Sequence, residues 1–530
     1  MSSMRIGGLA SGMDIDQLVS DLMKAQRMRS ESIKQKYQQL EWQQSDYRTI
    51  NNSLRSLRDA AFNMRLSGTY QAKKATSSNE SVVAASANAT AASGTYSVTV
   101  HQLAEGVTKG SQVQLADEVN SEGNAIMLKD QFSGLSDTIT FTLVGKMESD
   151  GITRASKDFT IYTKGTSINA LVAEINQYSD DLGIAASYDS ANNRFFLSST
   201  GIGHDSGIGV LADSDSLLSS ATGNANDSVL KLALQTGAAV TAGKDAIYDF
   251  GDAAGMTSSS NTVLVNGITL TLKDGQPADP KTATVTVAHD PDAVYDSIVK
   301  FIDQYNTTID LINGELREVK YKSYLPLTDE QREQLSDEQE KDWDEKAKSG
   351  LLKGDTYLSG LMSKVRGAMS SIVSGLSSVV VDGKSVTHNN LSSIGIITTK
   401  DYMDGGKLYL KNDGADLKKA IQNDPEGVMK LFNNDSEVSG ELGIARRLYN
   451  VADAGVDQIL EKAGMESSLS EYDDSIMGKK LEDMNEQIER WEDRLAQIED
   501  RYWRQFTAME KAISQMNSQS SWLAQQFGGQ

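Results

Sequence analysis

Two amphipathic stripes, one towards each end of the chain, constrain the fold more than any other feature. The first opens in "GLASGMDIDQLVSDLMKAQ", residues 8–26. Asp14 can cap a helix there, with Gln17 three residues on as a capping-box-like partner. Apolar Ile15, Leu18, Leu22 and Met23 follow. After a polar stretch the stripe resumes at Ile33, Tyr37, Leu40, Tyr47, Ile50, Leu54, Leu57, Ala61 and Met64. Steps of three and four are the heptad signature, and Gln44 on the seam is the kind of polar residue that sets register. Gly68 is expected to end the helix. The second stripe reads Leu481, Met484, Ile488, Trp491, Leu495, Ile498, Tyr502, Phe506, Met509, Ile513, Met516, Ser520, Leu523 and Phe527. Two adjoining steps of four at Tyr502 make a stutter.

A helix from Asp14 to Gly68 would be about 80 Å long. Fixing its backbone costs about 1–2 kcal/mol per residue, while each large side chain returns about 1.5–3 kcal/mol only when fully buried. Neither end is stable alone, so each needs the other end or another subunit. The simplest topology pairs the ends and loops the middle out between them. The extremes, before about residue 40 and after about residue 500, are then expected to be mobile in a free monomer and ordered in an assembly.

Between the ends the period changes. A Ser/Ala/Thr/Asn-rich stretch, "ATSSNESVVAASANATAASG", separates the first helix from "TYSVTVHQL", where alternation predicts a strand. Period two continues through "DTITFTLVG" and "DFTIYTK". A helix at "TSINALVAEINQY" intervenes, followed by strands at "GIAASYD" and "RFFLSS". Asn266-Gly267 between Val265 and Ile268 predicts a two-residue type I′ hairpin. From Asp290-Pro291 helical spacing returns along Val294, Ile298, Phe301, Tyr305, Ile309, Ile312 and Leu316, with Pro in the first turn. A further helix is expected over Thr356–Leu376, and others at "ADLKKAIQ", "PEGVMKLF" and from about Leu442 to Lys462. Residues 326–348 form a very polar excursion with two capping boxes and no assigned role.

The net charge of −22 argues against nucleic acid and anionic membranes. The absence of cysteine removes disulfides and thiolate chemistry. No segment has the basic and apolar regions of a cleaved leader, so the expectation is a cytoplasmic chain or one exported without such a leader. His101, His204, His289 and His388 are scattered. "DGKS" at 382–385 lacks the phosphate-loop glycine, and Asp213 and Asp215 lack the rest of an EF-hand loop. No catalytic, cofactor-binding or metal site is expected, and no enzyme.

Four ordered stretches carry a resemblance: "GLASGMDIDQLVSDLM", "GTYSVTVHQLA", "TSINALVAEINQYSDDLGIAASYDSANNRFFLSSTGIG", and the tract from "NGITLTL" through "VYDSIVKFIDQYN" and "GLLKGDTYLSGLMSKVR" to "PEGVMKLF". Together they resemble the flagellar filament cap, or hook-associated protein 2, family. The fold expected is α+β and multidomain, a terminal α-helical coiled-coil stalk from the N- and C-terminal segments with β-rich head domains inserted between them. The boundaries expected are a leg at 1–40 and 476–530, a stalk at 41–75 and 290–475, one head domain at 76–130 and 235–289, and a second, with the IN-type motif, at 131–234.

The resemblance implies a secreted, extracellular protein at the flagellum tip, exported through the flagellar channel without a cleaved signal peptide. It implies a homo-oligomeric ring, commonly a pentamer, that retains flagellin and promotes its folding and insertion. Its partners would be flagellin, the hook–filament junction protein and an export chaperone at the C-terminal helix. Leg contacts to flagellin would be Ile15, Leu18, Leu22, Leu523 and Phe527. The coiled-coil seam would be Tyr37, Leu40, Tyr47, Leu54 and Leu57 with Leu481, Ile488, Trp491, Leu495, Ile498, Tyr502, Met509 and Ile513. The alternatives are an adhesin or surface-binding module, and another flagellar axial protein such as a junction protein.

Overall fold

The computed structural model describes residues 14–381, 383–399, 404–465 and 473–527. The chain divides into a helical unit, built from the residues up to Tyr70 and those from Pro291 onward, and an inserted unit, Gln71–Asp290.

Helix α1 (Ile15–Asn63) begins at Asp14, whose carboxylate accepts the Gln17 N–H at 2.9 Å. The expected reciprocal half is absent: the Gln17 amide turns along the helix to Asp21, 3.0 Å away. The helix also stops before Gly68. The Thr69 hydroxyl donates to the Asn63 carbonyl at 2.7 Å and the Tyr70 hydroxyl to the Met64 carbonyl at 2.8 Å, which satisfies the end of the helix early.

The inserted unit holds two apolar cores. In the first, β1 (Lys73–Ser77), β2 (Val83–Ala87), β3 (Gly94–Gln102), β11 (Ala246–Phe250), β12 (Ala253–Ser258), β13 (Thr262–Val265), β14 (Ile268–Leu272) and β15 (Lys281–His289) form two antiparallel sheets. Their orders are β1-β15-β3-β11-β12 and β13-β14-β2. Val98, Val100, Val285, Ile268 and Leu270 are fully enclosed between them. The Ser/Ala/Thr-rich stretch expected as a separator thus contains two strands, because small side chains of β2 lie opposite the larger ones of β14, Ala85 facing Leu270. The hairpin forms as expected: Asn266 and Gly267 have φ of 51° and 78°. A side chain at Gly267 would also meet the Ala91 backbone at 2.9 Å.

The second core lies between β4 (Thr108–Gly110), β5 (Thr138–Met147), β6 (Arg154–Tyr162), β7 (Ile184–Asp189), β8 (Arg194–Ser199), β9 (Gly207–Asp213) and β10 (Thr241–Ala242). Helix α2 (Ile168–Asn176) covers it with Ile168, Leu171 and Ile175. Asn176 locks α2 to β7 by both donating to and accepting from the Ala186 backbone, at 2.9 and 2.7 Å.

The helical unit continues with α3 (Pro291–Arg317), α4 (Asp337–Lys348), α5 (Thr356–Ser370), α6 (Ala415–Asn423), α7 (Pro425–Asn433), α8 (Ile444–Ala463) and α9 (Ile476–Phe527). Both capping boxes in the excursion are present, Thr328 with Gln331 and Ser336 with Gln339. Helix α5 ends at Ser370 rather than Leu376. The Arg447 guanidinium takes the Ser371 and Ile372 carbonyls at 3.1 Å, and Ile372 is exposed instead of continuing the stripe.

Three helices meet at one polar node. The Tyr47 hydroxyl of α1 donates to Asp355, the cap of α5, at 2.5 Å, and the Lys462 ammonium of α8 bonds the same hydroxyl. Burial alone would raise the Asp355 carboxyl. The Tyr47 hydroxyl, the Leu358 N–H and Lys462 together hold it below its ordinary value. Asp355→Ala removes the cap and strands both partners. It should destabilise the helical unit by about 2–3 kcal/mol, read as a lower urea midpoint at unchanged slope.

A second cluster acts in the opposite sense. Asp46 of α1 is pushed up to about 6 by burial and by Glu318. Glu315 of α3 is pushed up to about 7 by burial, Asp46 and Glu318. The folded state therefore holds these protons more tightly than the unfolded chain, and their ionisation costs stability as pH rises towards those values. Unfolding of the helical unit should show stability falling between about pH 4 and about pH 7, and Glu315→Gln should flatten that slope. An unchanged slope in the variant would remove the assignment.

Candidate functional site

Among the described residues, no group of three or more His, Cys, Asp or Glu is placed to hold a metal ion. The acidic residues that superficially suggest one are engaged with backbone. Asp213 accepts from the N–H groups of Leu217, Leu218 and Ser219 at 2.8–2.9 Å, and Asp215 from Ser136 at 2.5 Å. His101 and His204 each sit 2.7 Å from a carboxylate, of Asp249 and Asp245. Among the described helices none is long and apolar enough to cross a membrane. The feature with functional geometry is the helix pair formed by α1 and α9.

The two helices run antiparallel. Near the start of α9, Asp473 accepts from Arg48 at 2.7 Å and from Gln44 at 2.8 Å, while Arg48 also donates to the Ala463 carbonyl at 2.9 Å. Gln44 is thus a buried seam residue whose amide has a partner on the other strand of the pair. Burial would raise Asp473, but its bonds from Ser475 and the nearby Arg48 and Gln44 hold it low. Further along, Lys34 pairs with Glu492 at 2.7 Å, and Arg29 lies over the Trp491 ring at 5.7 Å.

At the far end Ile15, Val19 and Met23 are buried against Leu495, with Ile498, Tyr502, Trp503 and Phe506 packed around them. Each of the three is one helical turn from the next, so a single line of α1 is covered. Leu18 and Leu22 stand to the side of that line and are 38% and 39% exposed. Of the three residues expected as leg contacts here, Ile15 is covered within the chain, while Leu18 and Leu22 are not.

The α1 seam divides in the same way. Tyr47, Leu54 and Leu57 are completely buried, in the stretch that packs on α3 and α8. Tyr37 and Leu40 are half-buried, as are Leu481, Ile488, Trp491, Ile498 and Tyr502 on α9, where Leu495 is the covered residue. Beyond Phe506 the helix continues to Phe527, about 30 Å further. Met509 and Ile513 are half-buried there, and Met516, Trp522 and Leu523 are 63%, 59% and 46% exposed. Phe527 is the last described helical residue, and its side chain lies outside the described residues.

The excursion flanks α1. Gln35 donates to the Pro326 carbonyl at 2.8 Å, Lys348 lies over the Trp42 ring at 5.1 Å, and Arg27 approaches Glu330 at 3.8 Å. Sequence periodicity gave no hint of these contacts, since the side chains that make them are polar.

The chain matches the families described as flagellar hook-associated protein 2 N-terminus over residues 11–106, flagellar hook-associated protein 2 C-terminus over 243–518, and flagellin hook IN motif over 138–201. It is 31% identical to the flagellar hook-associated protein 2 of Halalkalibacterium halodurans, covering 99% of this chain and all of that one. It is 24% identical to that of Thermotoga maritima, covering 100% and 96%. Among solved structures it is similar to the D1-D2-D3 domains of the flagellar cap protein FliD from Escherichia coli, with 18% identity, 83% and 99% coverage and a TM-score of 0.48. The family and sequence matches define a protein of the bacterial flagellum. The chain belongs to the flagellar hook-associated protein 2 family, the proteins that cap the flagellar filament.

Leu495→Ala should loosen the start of α1 while leaving the bundle intact. Amide exchange should accelerate over residues 15–23 and stay slow over residues 47–61. Equal protection of both stretches would show that Leu495 does not hold the leg together.

Proposed function

We propose that the chain closes into a ring, a pentamer, at the distal end of the filament, retains exported flagellin there and guides its folding and insertion. In this reading the helical leg reaches the filament, and flagellin meets the open residues Leu18, Leu22 and Leu523 together with Phe527. The observation that supports it most is the run of α9 past Phe506, where a regular apolar line stays largely uncovered within the chain. Full burial of each such side chain is worth about 1.5–3 kcal/mol, so this line favours assembly over isolation. The same line is what an export chaperone would mask before the chain enters the flagellar channel, and the hook–filament junction protein is the surface on which the first ring would sit.

The test is genetic. A strain producing the chain without residues 507–530 should release unassembled flagellin into the medium and grow few or short filaments. Trp522→Ser with Leu523→Ser should do the same in part. Filaments of normal number and length in the truncated strain would overturn the proposed role of the leg.

A further inference from the structure

Three lysines from three segments converge without an ion-pair partner among the described residues. Lys36 of α1, Lys320 just after α3 and Lys480 of α9 surround a 280 Å³ cavity floored by half-buried Leu40, Leu351 and Met484. All three ammonium-bearing side chains are exposed, and none makes an ion pair or hydrogen bond among the described residues. The rim is fixed by the backbone. Gly350 donates to Glu318 at 2.6 Å, and its φ of 68° brings it so close to Lys320 that an added Cβ would lie 2.8 Å from the Lys320 backbone. Gln43 donates to the Leu351 carbonyl at 3.2 Å and closes the wall.

The complementary charge lies on the tip of the polar excursion. Glu333, Asp337 and Glu338 are exposed and carry no ion pair among the described residues. Of the nearby cations, Arg332 is taken up by Glu340 and by Asp344 at 3.3 Å, while exposed Lys341 lies one turn along α4 from Asp337 and makes no ion pair among the described residues. The base of the excursion is tied down within the chain, where Trp343 donates to the Leu325 carbonyl at 2.8 Å and Lys348 is seated over Trp42. One chain therefore displays a lysine-rimmed cavity and an acidic tip that do not meet. A head-to-tail ring has a contact of this kind at every interface, since each subunit offers one surface to each neighbour.

We infer that the lysine-rimmed cavity is a docking surface for the acidic excursion tip of a second copy of this chain. The inference rests on the ring proposed above and names the contact that fixes the neighbour's position. Charge complementarity of this sort sets register and association rate, and salt screens it.

The experiment compares the full-length chain with two triple variants by analytical ultracentrifugation, at about 0.05 M and about 0.5 M salt. One carries Lys36→Glu, Lys320→Glu and Lys480→Glu, the other Glu333→Lys, Asp337→Lys and Glu338→Lys. Circular dichroism confirms that each is folded. Either variant alone should associate about tenfold more weakly at low salt, roughly the sum of three exposed pairs. A chain carrying all six changes should recover the loss. Association by the lysine variant equal to that of the unmodified chain overturns the contact while leaving the ring intact. A loss that the six-fold charge swap does not restore overturns the choice of partner. An unmodified chain that stays monomeric at every concentration overturns the ring itself, and the contact with it.

Discussion

One constraint governs the helical unit: a single apolar line along a 49-residue helix has to be covered by something other than itself. The chain solves this piecewise. From Tyr47 to Met64 the line is enclosed where α3 and α8 pack on α1. From Ile15 to Met23 it is enclosed by α9. Between these stretches Tyr37 and Leu40 are only half covered, and polar contacts take over, with Lys34 on Glu492 and Gln35 on the excursion. Stability is thus concentrated in the bundle and thins along the pair of long helices.

Polar residues decide which of several possible alignments the pair adopts. Apolar seams can slide by a heptad at modest cost, whereas Arg48, Gln44 and Asp473 meet in only one alignment. A slip would leave a partly buried carboxylate and guanidinium unpaired, a much larger penalty than the pair's own net contribution. Tyr47, Asp355 and Lys462 do the same for the bundle, tying the register of α1 to the cap of α5 and the last turn of α8. The neighbouring carboxylates of Asp46 and Glu315 work against stability at neutral pH, so the same stretch of α1 is both fastened and weakened by charge.

Much of this was legible in the residues, for stated reasons. Long helices with regular stripes announce themselves, and so does Asn-Gly between alternating apolar runs. The start of α9 follows from the end of the polar stretch before Ile476. Other features depended on partners far away in sequence. The strands β1 and β2 are made largely of small and polar residues whose pairing is set by β15 and β14, about 180 to 216 residues on. The strand β9 lies in a glycine-rich run that resembles a loop. The end of α5 is set by an arginine some 75 residues later. At the leg, spacing placed Ile15, Leu18 and Leu22 on the same apolar stripe, but only the coordinates distinguish the line that α9 covers from the one beside it.

The inserted unit enters through β1 and leaves through β15, and these strands lie side by side, with Lys73 opposite His289 and the Asp290 N–H on the Ala72 carbonyl at 2.8 Å. Its two termini therefore form a single narrow doorway. A module attached in this manner can be enlarged, trimmed or exchanged for an unrelated one without rethreading the rest of the polypeptide.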